Sequence, residues 1–229
     1  MEKISAFYDL DRSSRAVREG RHRNIVGGMW EEIGRLQFEF LVEHGLDPHM
    51  RLIDIGCGCL RGGIHFVAYL CSGNYYGIDI SGDLLDAGYD IELAPLGLQD
   101  KLPRDHLASN GEFDGAGFGV AFDMALAQSL FTHLPQDLFR KCMMRAAHYV
   151  RENGQFFVTV FISPSNHDPS QPLQHPRGGV TTFPDRDPYH YSRTQLMEII
   201  SGLPWRLETI ADWDHPRDQT MLIFRRAST

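Results

Sequence analysis

The stretch DIGCGCLRGG, residues 54–63, decides how the rest of the sequence is interpreted. It follows the apolar residues Leu52 and Ile53, and it places Asp54 two residues before the first of two closely spaced glycines, Gly56 and Gly58. Glycine loses more backbone entropy on folding than other residues and packs no side chain, so clustered glycines indicate a tight turn or a close approach of the backbone to a ligand. The stretch therefore predicts a buried strand that ends in a ligand-binding turn.

Strands and helices alternate on both sides of this turn. Helical spacing, caps and prolines predict helices over 28–45, 64–70, 81–93, 135–150 and 192–202. β-Branched and aromatic runs predict strands over 51–55, 74–80, 122–127, 155–161, 206–211 and 220–225, with a turn at Asn153 and Gly154 before the fourth. This alternation indicates a mainly parallel sheet covered on both faces, and the short last connection pairs the last two strands antiparallel, so we expect one reversed strand near the end of the sheet.

An acid at the end of the second strand points to a nucleoside ligand. Asp79 follows Gly58 by about the separation expected for an acid that accepts both ribose hydroxyls. The dinucleotide fingerprint G-x-G-x-x-G would need glycine where Arg61 stands, and a carboxylate at Asp54 would repel a pyrophosphate. A nucleoside with a cationic amine and no phosphate fits the turn better, and S-adenosylmethionine has this chemistry.

The composition argues against several partners. The chain has 229 residues and a formal net charge of −8, which disfavours nucleic acid because phosphate binding requires a basic field. No apolar run approaches the roughly 20 residues that span a bilayer, and we see no signal peptide at the N-terminus. We therefore expect no membrane partner and a cytoplasmic location. The four cysteines are expected to be reduced thiols, since two of them flank Gly58 too closely to staple a fold: Cys57, Cys59, Cys71 and Cys142.

Four segments in this order, RLIDIGCGCLRGG, NYYGIDIS, FDMALAQSLFTHLP and GQFFVTVF, resemble class I S-adenosylmethionine-dependent methyltransferases. The resemblance covers roughly residues 28 to 229. It implies an α/β fold with a doubly wound, mainly parallel seven-stranded sheet and one antiparallel strand near the C-terminus, in the Rossmann-like methyltransferase arrangement. It also implies S-adenosylmethionine as the cofactor.

The resemblance assigns cofactor contacts residue by residue. Asp54, Gly56 and Gly58 would hold the methionine end, and Asp79 the ribose. Glu112 and Phe113 lie where the adenine-contacting loop would be, Gln128 would face the methionine or the methyl group, and Trp30 belongs to a stretch that resembles a cofactor-covering helix. Many family members have a third glycine at the position of Leu60, so here Arg61 is a candidate contact of the cofactor carboxylate. The whole implied set is Trp30, Asp54, Gly56, Cys57, Gly58, Arg61, Asp79, Ile80, Glu112, Phe113 and Gln128.

Two segments are candidates to cover the site. We predict that residues 1–27 form an N-terminal cap and that residues 28–229 form the methyltransferase domain, in which residues 163–191 are a substrate-capping insertion, because so long a loop is usually a lid, a binding loop or disorder. Five arginines cluster near the N-terminus, either as a solvated helix face or as a contact for an anionic substrate or the lid: Arg12, Arg15, Arg18, Arg21 and Arg23.

Three histidines are candidate catalytic residues, because a hydroxyl or amine acceptor can need a general base. His133 follows the strand over 122–127 and is a base, a substrate contact or a helix cap. Tyr189 and His190 end the long loop and either face a pocket as substrate contacts or belong to an ordered surface turn. His215 is a base or simply a residue of the last connection. A metal site in the long loop, from His167, His175, Asp168, Asp185 and Asp187, matches no metal motif, so no metal is predicted.

These patterns predict an S-adenosylmethionine-dependent methyltransferase that acts on a small molecule, with a hydroxyl oxygen as the preferred acceptor on a sugar or natural-product intermediate. The alternatives are N-methylation of a small molecule, an NAD-dependent oxidoreductase, and a non-catalytic protein that keeps the cofactor site. A homodimer is compatible with the sequence.

Overall fold

The computed structural model describes residues 9–228. Residues 1–8, the first part of the predicted 1–27 cap, and Thr229 lie outside the described residues. Within this range the helices are α1 Leu10–Arg18, α2 His22–Ile25, α3 Trp30–Glu43, α4 Gly63–Tyr69, α5 Gly82–Ala87, α6 Gln136–Ala146 and α7 Arg193–Ile200. The strands are β1 Leu52–Ile55, β2 Tyr75–Asp79, β3 Leu107–Ser109, β4 Phe122–Ala127, β5 Val150–Ile162, β6 Leu173–Gln174, β7 Thr181–Thr182, β8 His190–Tyr191, β9 Trp205–Ala211 and β10 Thr220–Arg226.

The main sheet confirms the predicted doubly wound topology. Its strand order is β3-β2-β1-β4-β5-β10-β9. Neighbouring strands from β3 to β5 run parallel, whereas β10 is antiparallel to both β5 and β9. The short connection between β9 and β10 predicts their antiparallel pairing, and the structure shows that the reversed strand of the two is β10. β8 adds a two-residue parallel pairing at the end of β5, so the sheet has one short strand more than predicted.

The alternation of side chains along the strands separates two apolar layers, because successive residues of a strand face opposite sides of the sheet. In β4, Ala125 and Ala127 join the cluster that contains residues of α6 and α7, whereas Met124 and Leu126 join the cluster that contains residues of α3 and α4. The predicted core residues of β5, namely Phe156, Phe157 and Phe161, are all buried. Helices thus cover both faces, and ligands are left the edge where the parallel strands end.

Three details differ from the sequence-based prediction. β3 was missed because it has only three residues and no strong apolar run. The helix predicted over 135–150 ends earlier, at Ala146, since Val150 already pairs with Phe122 in the sheet. The predicted turn at Asn153 lies inside β5, where Asn153 has φ +60° and the pairing with β4 shifts register.

Residues 163–191 do not form a uniform loop. β6 and β7 pair with each other as a small antiparallel ribbon, and β8 returns the chain to β5. None of the helices in residues 9–228 is both long and apolar enough to cross a membrane. The four cysteines are free, and Cys71 is the exposed one among them.

Candidate functional site

A cleft lies at the carboxyl ends of the parallel strands β1, β2 and β4. It includes the point between β1 and β4 at which successive strands begin to be added on the other side of β1. It contains ≈ 1290 Å³ of atom-free space, including open solvent at its mouth. The glycine turn forms one wall, with positive φ angles at Gly56, Gly58 and Leu60. A Cβ on Gly58 would lie 2.7 Å from Val26 Cγ1, so only glycine lets the N-terminal segment approach this turn so closely.

Asp54 is the buried acid of the cleft. It belongs to β1, and its carboxylate accepts a hydrogen bond of 2.9 Å from the hydroxyl of Tyr75. Burial raises the pKa of Asp54 to about 7, although the hydrogen bond from Tyr75 opposes this shift. A carboxyl group that is costly to ionise in this way favours a cationic group of a ligand beside it.

Asp79 ends β2 and closes the turn from the other side. Its two carboxylate oxygens accept hydrogen bonds of 2.9 Å each, one from the backbone N–H of Gly58 and one from that of Ser81. Burial raises the pKa of Asp79, and these N–H donors act against the rise. The acid and the glycine turn are therefore one hydrogen-bonded unit.

A chain of polar side chains continues the cleft beyond β4. Arg61 donates to Gln128 Oε1 at 2.6 Å, and Gln128 donates to the hydroxyl of Ser129 at 2.7 Å. Ser129 donates in turn to Gln219 Oε1 at 2.8 Å, which Thr159 also contacts. Gln128 and Ser129 directly follow β4 and Gln219 directly precedes β10, so the connection into the antiparallel last strand contributes to the lining of the cleft.

His133 lines the cleft and is paired with an acid from the long insertion. The distance from His133 Nδ1 to Asp187 Oδ1 is 2.6 Å. A carboxylate only accepts hydrogen bonds, so this contact places a proton on Nδ1 and leaves the lone pair of the neutral ring on Nε2. An imidazole with this tautomer has the lone pair that a general base uses.

His215 also lines the cleft but has the opposite tautomer. Its Nδ1 accepts the backbone N–H of Arg217 at 3.2 Å, so in the neutral ring Nε2 carries the proton. Burial, together with Arg61 and Arg217, lowers the pKa of His215 to about 3. This geometry does not favour His215 as a general base, because Nδ1 already accepts a hydrogen bond and Nε2 carries the proton.

Nine of the eleven predicted cofactor residues line this one cleft, and two do not. Trp30 is buried behind the turn, where the guanidinium of Arg23 lies 4.6 Å from its ring. Glu112 is exposed and pairs with Lys141, whereas its neighbours Gly111 and Phe113 reach the cleft.

The two predicted substrate residues of the insertion lie elsewhere. Tyr189 and His190 line a separate shallow surface depression. His190 is buried, and its ring forms hydrogen bonds with Thr182 Oγ1 at 2.9 Å and with the carbonyl of Pro169 at 3.1 Å. His190 therefore stabilises the insertion, and the structure does not bring it to the cleft.

Several residues of the cleft had not been predicted from the sequence: Ser13, Asn110, Ser129, Arg217 and Gln219. Arg217 and Gln219 belong to the connection between β9 and β10. β9 runs parallel to β5, so its carboxyl end and this connection lie at the ligand edge of the sheet. The predicted direction of the last two strands was the signal that could have identified them.

The N-terminal arginine cluster is a solvated surface in the described residues. All five arginines are exposed, and none lines the cleft. The N-terminal segment instead reaches the cleft through Ser13, Val26 and Gly27. Arg23 and His22 anchor the segment by contacting the buried carboxylate of Glu92.

No protein-family model matches the sequence. Solved structures share its fold at low sequence identity. A magnesium protoporphyrin IX methyltransferase from Synechocystis, solved with bound SAH (S-adenosylhomocysteine), superposes with a TM-score of 0.64 at 15% identity, covering 94% of this chain and 97% of that one. An S-adenosylmethionine-dependent methyltransferase from Clostridium acetobutylicum gives 0.64 at 11% identity, covering 93% and 99%. The CcbJ methyltransferase from Streptomyces caelestis gives 0.62 at 17% identity, covering 85% and 90%. The chain therefore has the Rossmann-like fold of class I methyltransferases.

Proposed function

We propose that this protein is an S-adenosylmethionine-dependent methyltransferase that acts on a hydroxyl group of a small molecule. The observation that carries the proposal is a pair of acids, the buried Asp54 and the partly buried Asp79, on either side of the glycine turn in a cleft of the methyltransferase fold. The structural neighbours that were solved with SAM or SAH support the choice of cofactor.

The residues of the cleft fit this cofactor. Asp54 offers a carboxylate whose ionised form is stabilised by a nearby cation, which the amine of the cofactor would provide. Asp79 offers a carboxylate for the ribose hydroxyls, and Phe113 offers an apolar surface for the base. Gly58 lets the N-terminal segment pack against the turn, since a Cβ there would lie 2.7 Å from Val26 Cγ1. When bound, S-adenosylmethionine would supply a methyl group on a positively charged sulfur.

The chemistry that the protein itself contributes is alignment and proton removal. Methyl transfer from a sulfonium needs proximity above all, because the electrophile is already strong. An acceptor hydroxyl must also lose its proton, and His133 Nε2 has the lone pair to take it, since Asp187 holds the other ring nitrogen. This pairing favours oxygen over nitrogen as the acceptor. An NAD-dependent reaction fits less well, because Asp54 and Arg61 stand where a pyrophosphate turn would need neutral or glycine residues.

Two measurements test the proposal. Isothermal titration calorimetry should show that SAH binds and that NAD does not. Incubation with methyl-labelled S-adenosylmethionine and a native extract should give a labelled small molecule. Tight binding of SAH without any labelled product would favour the non-catalytic alternative, and binding of NAD alone would overturn the assignment.

The role of His133 is tested by replacement. His133→Ala should lower kcat by roughly 10²–10⁴ while the Kd for SAH stays the same, because general-base catalysis contributes on this scale. Asp187→Asn should lower kcat less, since it removes only the orienting charge. His148→Ala, at an exposed histidine outside the cleft, is the matched control and should leave kcat unchanged. A normal rate for His133→Ala would exclude it as the base.

A further inference from the structure

The half of the cleft near β10 is cationic, in contrast to the acidic half at β1 and β2. Arg61 and Arg217 supply the charge of this half, which also contains the neutral ring of His215, while Asp54 and Asp79 line the other half. In the sheet, β10 is separated from β1 by β4 and β5. The cleft therefore has cationic side chains in one half and acidic side chains in the other.

The two arginines converge on one point. A Cβ built on Gly27 would lie 3.4 Å from Arg217 Nη1 and 3.8 Å from Arg61 Nη1. Both guanidiniums donate to neutral backbone carbonyls of the same turn, Arg61 to Val26 and Gly28 and Arg217 to Gly27. Two like charges are thus held close together against this turn.

Neither arginine forms an ion pair with a carboxylate in residues 9–228; their hydrogen-bond acceptors are backbone carbonyls and the side-chain amide of Gln128. Arg61 is 8% exposed, and burial lowers the pKa of its guanidinium to about 10. A buried charge without a counter-ion is costly, so an anion that enters this half of the cleft gains from both arginines.

His215 supplies a second, independent indication of a ligand. The side chain is 2% exposed and stacks on Trp213 at 5.2 Å between ring centroids. Its Nδ1 is used by the backbone N–H of Arg217, and its Nε2–H has no acceptor among the described residues although the ring lines the cleft. The ring is buried, but Nε2 is not itself among the fully occluded nitrogen atoms that lack a partner. Its N–H therefore reaches the open space of the cleft, where the acceptor atom of a ligand can bind it.

We infer that the methyl acceptor is an anionic small molecule, a hydroxyl-bearing carboxylic acid, whose carboxylate is held by Arg217 and His215 while its hydroxyl faces His133. His133 follows β4, whereas Arg217 and His215 precede β10, so the two groups lie on either side of the end of β5 in the same cleft. The inference rests on the proposed methyltransferase function. The competing occupant is the carboxylate of the cofactor, for which Arg61 alone is the nearer candidate beside Asp54.

The charge of the acceptor is tested by fractionating a native extract on an anion-exchange column before the reaction with methyl-labelled S-adenosylmethionine. The label should appear in products made from the retained, anionic fraction. Label confined to the unretained fraction would overturn the inference and leave the methyltransferase function standing. No label from any fraction would overturn both.

Variants then distinguish the acceptor from the cofactor. Arg217→Gln should raise KM for the retained fraction at least tenfold and change the Kd for SAH less than twofold, while Arg35→Gln, at an exposed arginine of α3, should change neither. His215→Phe keeps the stacking on Trp213 and removes the donor, so it should raise KM as well, and His215→Gln should restore part of the loss. If Arg217→Gln weakens SAH binding as much as it raises KM while thermal unfolding is unchanged, the cation binds the cofactor and the inference is wrong.

Discussion

The affinity for SAH should depend on pH through Asp54. Burial raises the pKa of this carboxyl to about 7 in the free protein, from an ordinary value of 3.8. The cationic amine of SAH favours the ionised form, so binding below pH 7 must first release the proton. The Kd should therefore rise about tenfold for each pH unit below pH 6 and level off above pH 8.

The size of the effect follows from the same pKa. If the bound state restores the ordinary value, the Kd at pH 5 is about a hundredfold weaker than at pH 8, which is about 2.7 kcal/mol. At pH 6 the binding of one SAH should release about one proton. Asp54→Asn should show neither the slope nor the proton release, because the amide does not titrate.

Calorimetry in two buffers of different ionisation enthalpy measures the Kd and the proton release together. Adenosine is the matched ligand, since it keeps the ribose that Asp79 is proposed to bind but lacks the cationic amino group of the amino-acid end of SAH. Its affinity should vary little with pH, and it also reports whether Asp54→Asn is folded. A Kd for SAH that is flat from pH 8 to pH 5, or a slope that survives in Asp54→Asn, would refute the reasoning.

Three further predictions concern the same turn. Asp79→Ala should weaken SAH binding by about 1–3 kcal/mol, the scale for a lost charged acceptor, and calorimetry would show this. Gly58→Ala should lower the unfolding free energy by about 1–3 kcal/mol in urea titrations, because it adds a collision with Val26 to the strain of φ +54°; Gly20→Ala, at φ +67° with nothing nearby, should cost less. The folded-state pKa of Asp54 lies above its unfolded value, so its contribution to stability is present below about pH 4 and is lost as pH rises through 7; Asp54→Asn should remove this loss in thermal scans.

The fold could be derived from the sequence because it depends on local, periodic information. Apolar runs in the sequence predict the strands β1, β4 and β5, and helical spacing predicts the helices α3 and α6. The alternation of strands and helices along the chain then predicts a parallel sheet. The sequence does not predict β3, because three residues of mixed polarity are too few to show a strand periodicity. The boundary of α6 was misplaced because pairing with Phe122 outcompetes the helix at Val150.

The acidic half of the site was also accessible from the sequence. Asp54, Gly58 and Asp79 lie at the ends of consecutive strands, and consecutive parallel strands end at the same edge. The positions of these three residues at strand ends are therefore enough to predict that they lie in one cleft. Trp30 and Glu112 are the exceptions, since the direction in which a side chain points from a helix start or a loop is set by its neighbours and is not encoded in its position.

The sequence by itself determined the sheet, the glycine turn and the two acids beside it. Only the tertiary structure decided which tautomer His133 and His215 each adopt, and that the side chains of Arg61 and Arg217 lie close together. Asp187 reaches His133 from 54 residues away, and Arg217 reaches Gly27 from 190 residues away. Such contacts join segments that no periodicity relates, because they form only when the insertion and the last connection fold back over the edge of the sheet. The physical reason is that a hydrogen bond depends on distance in space, whereas a sequence pattern reports only distance along the chain.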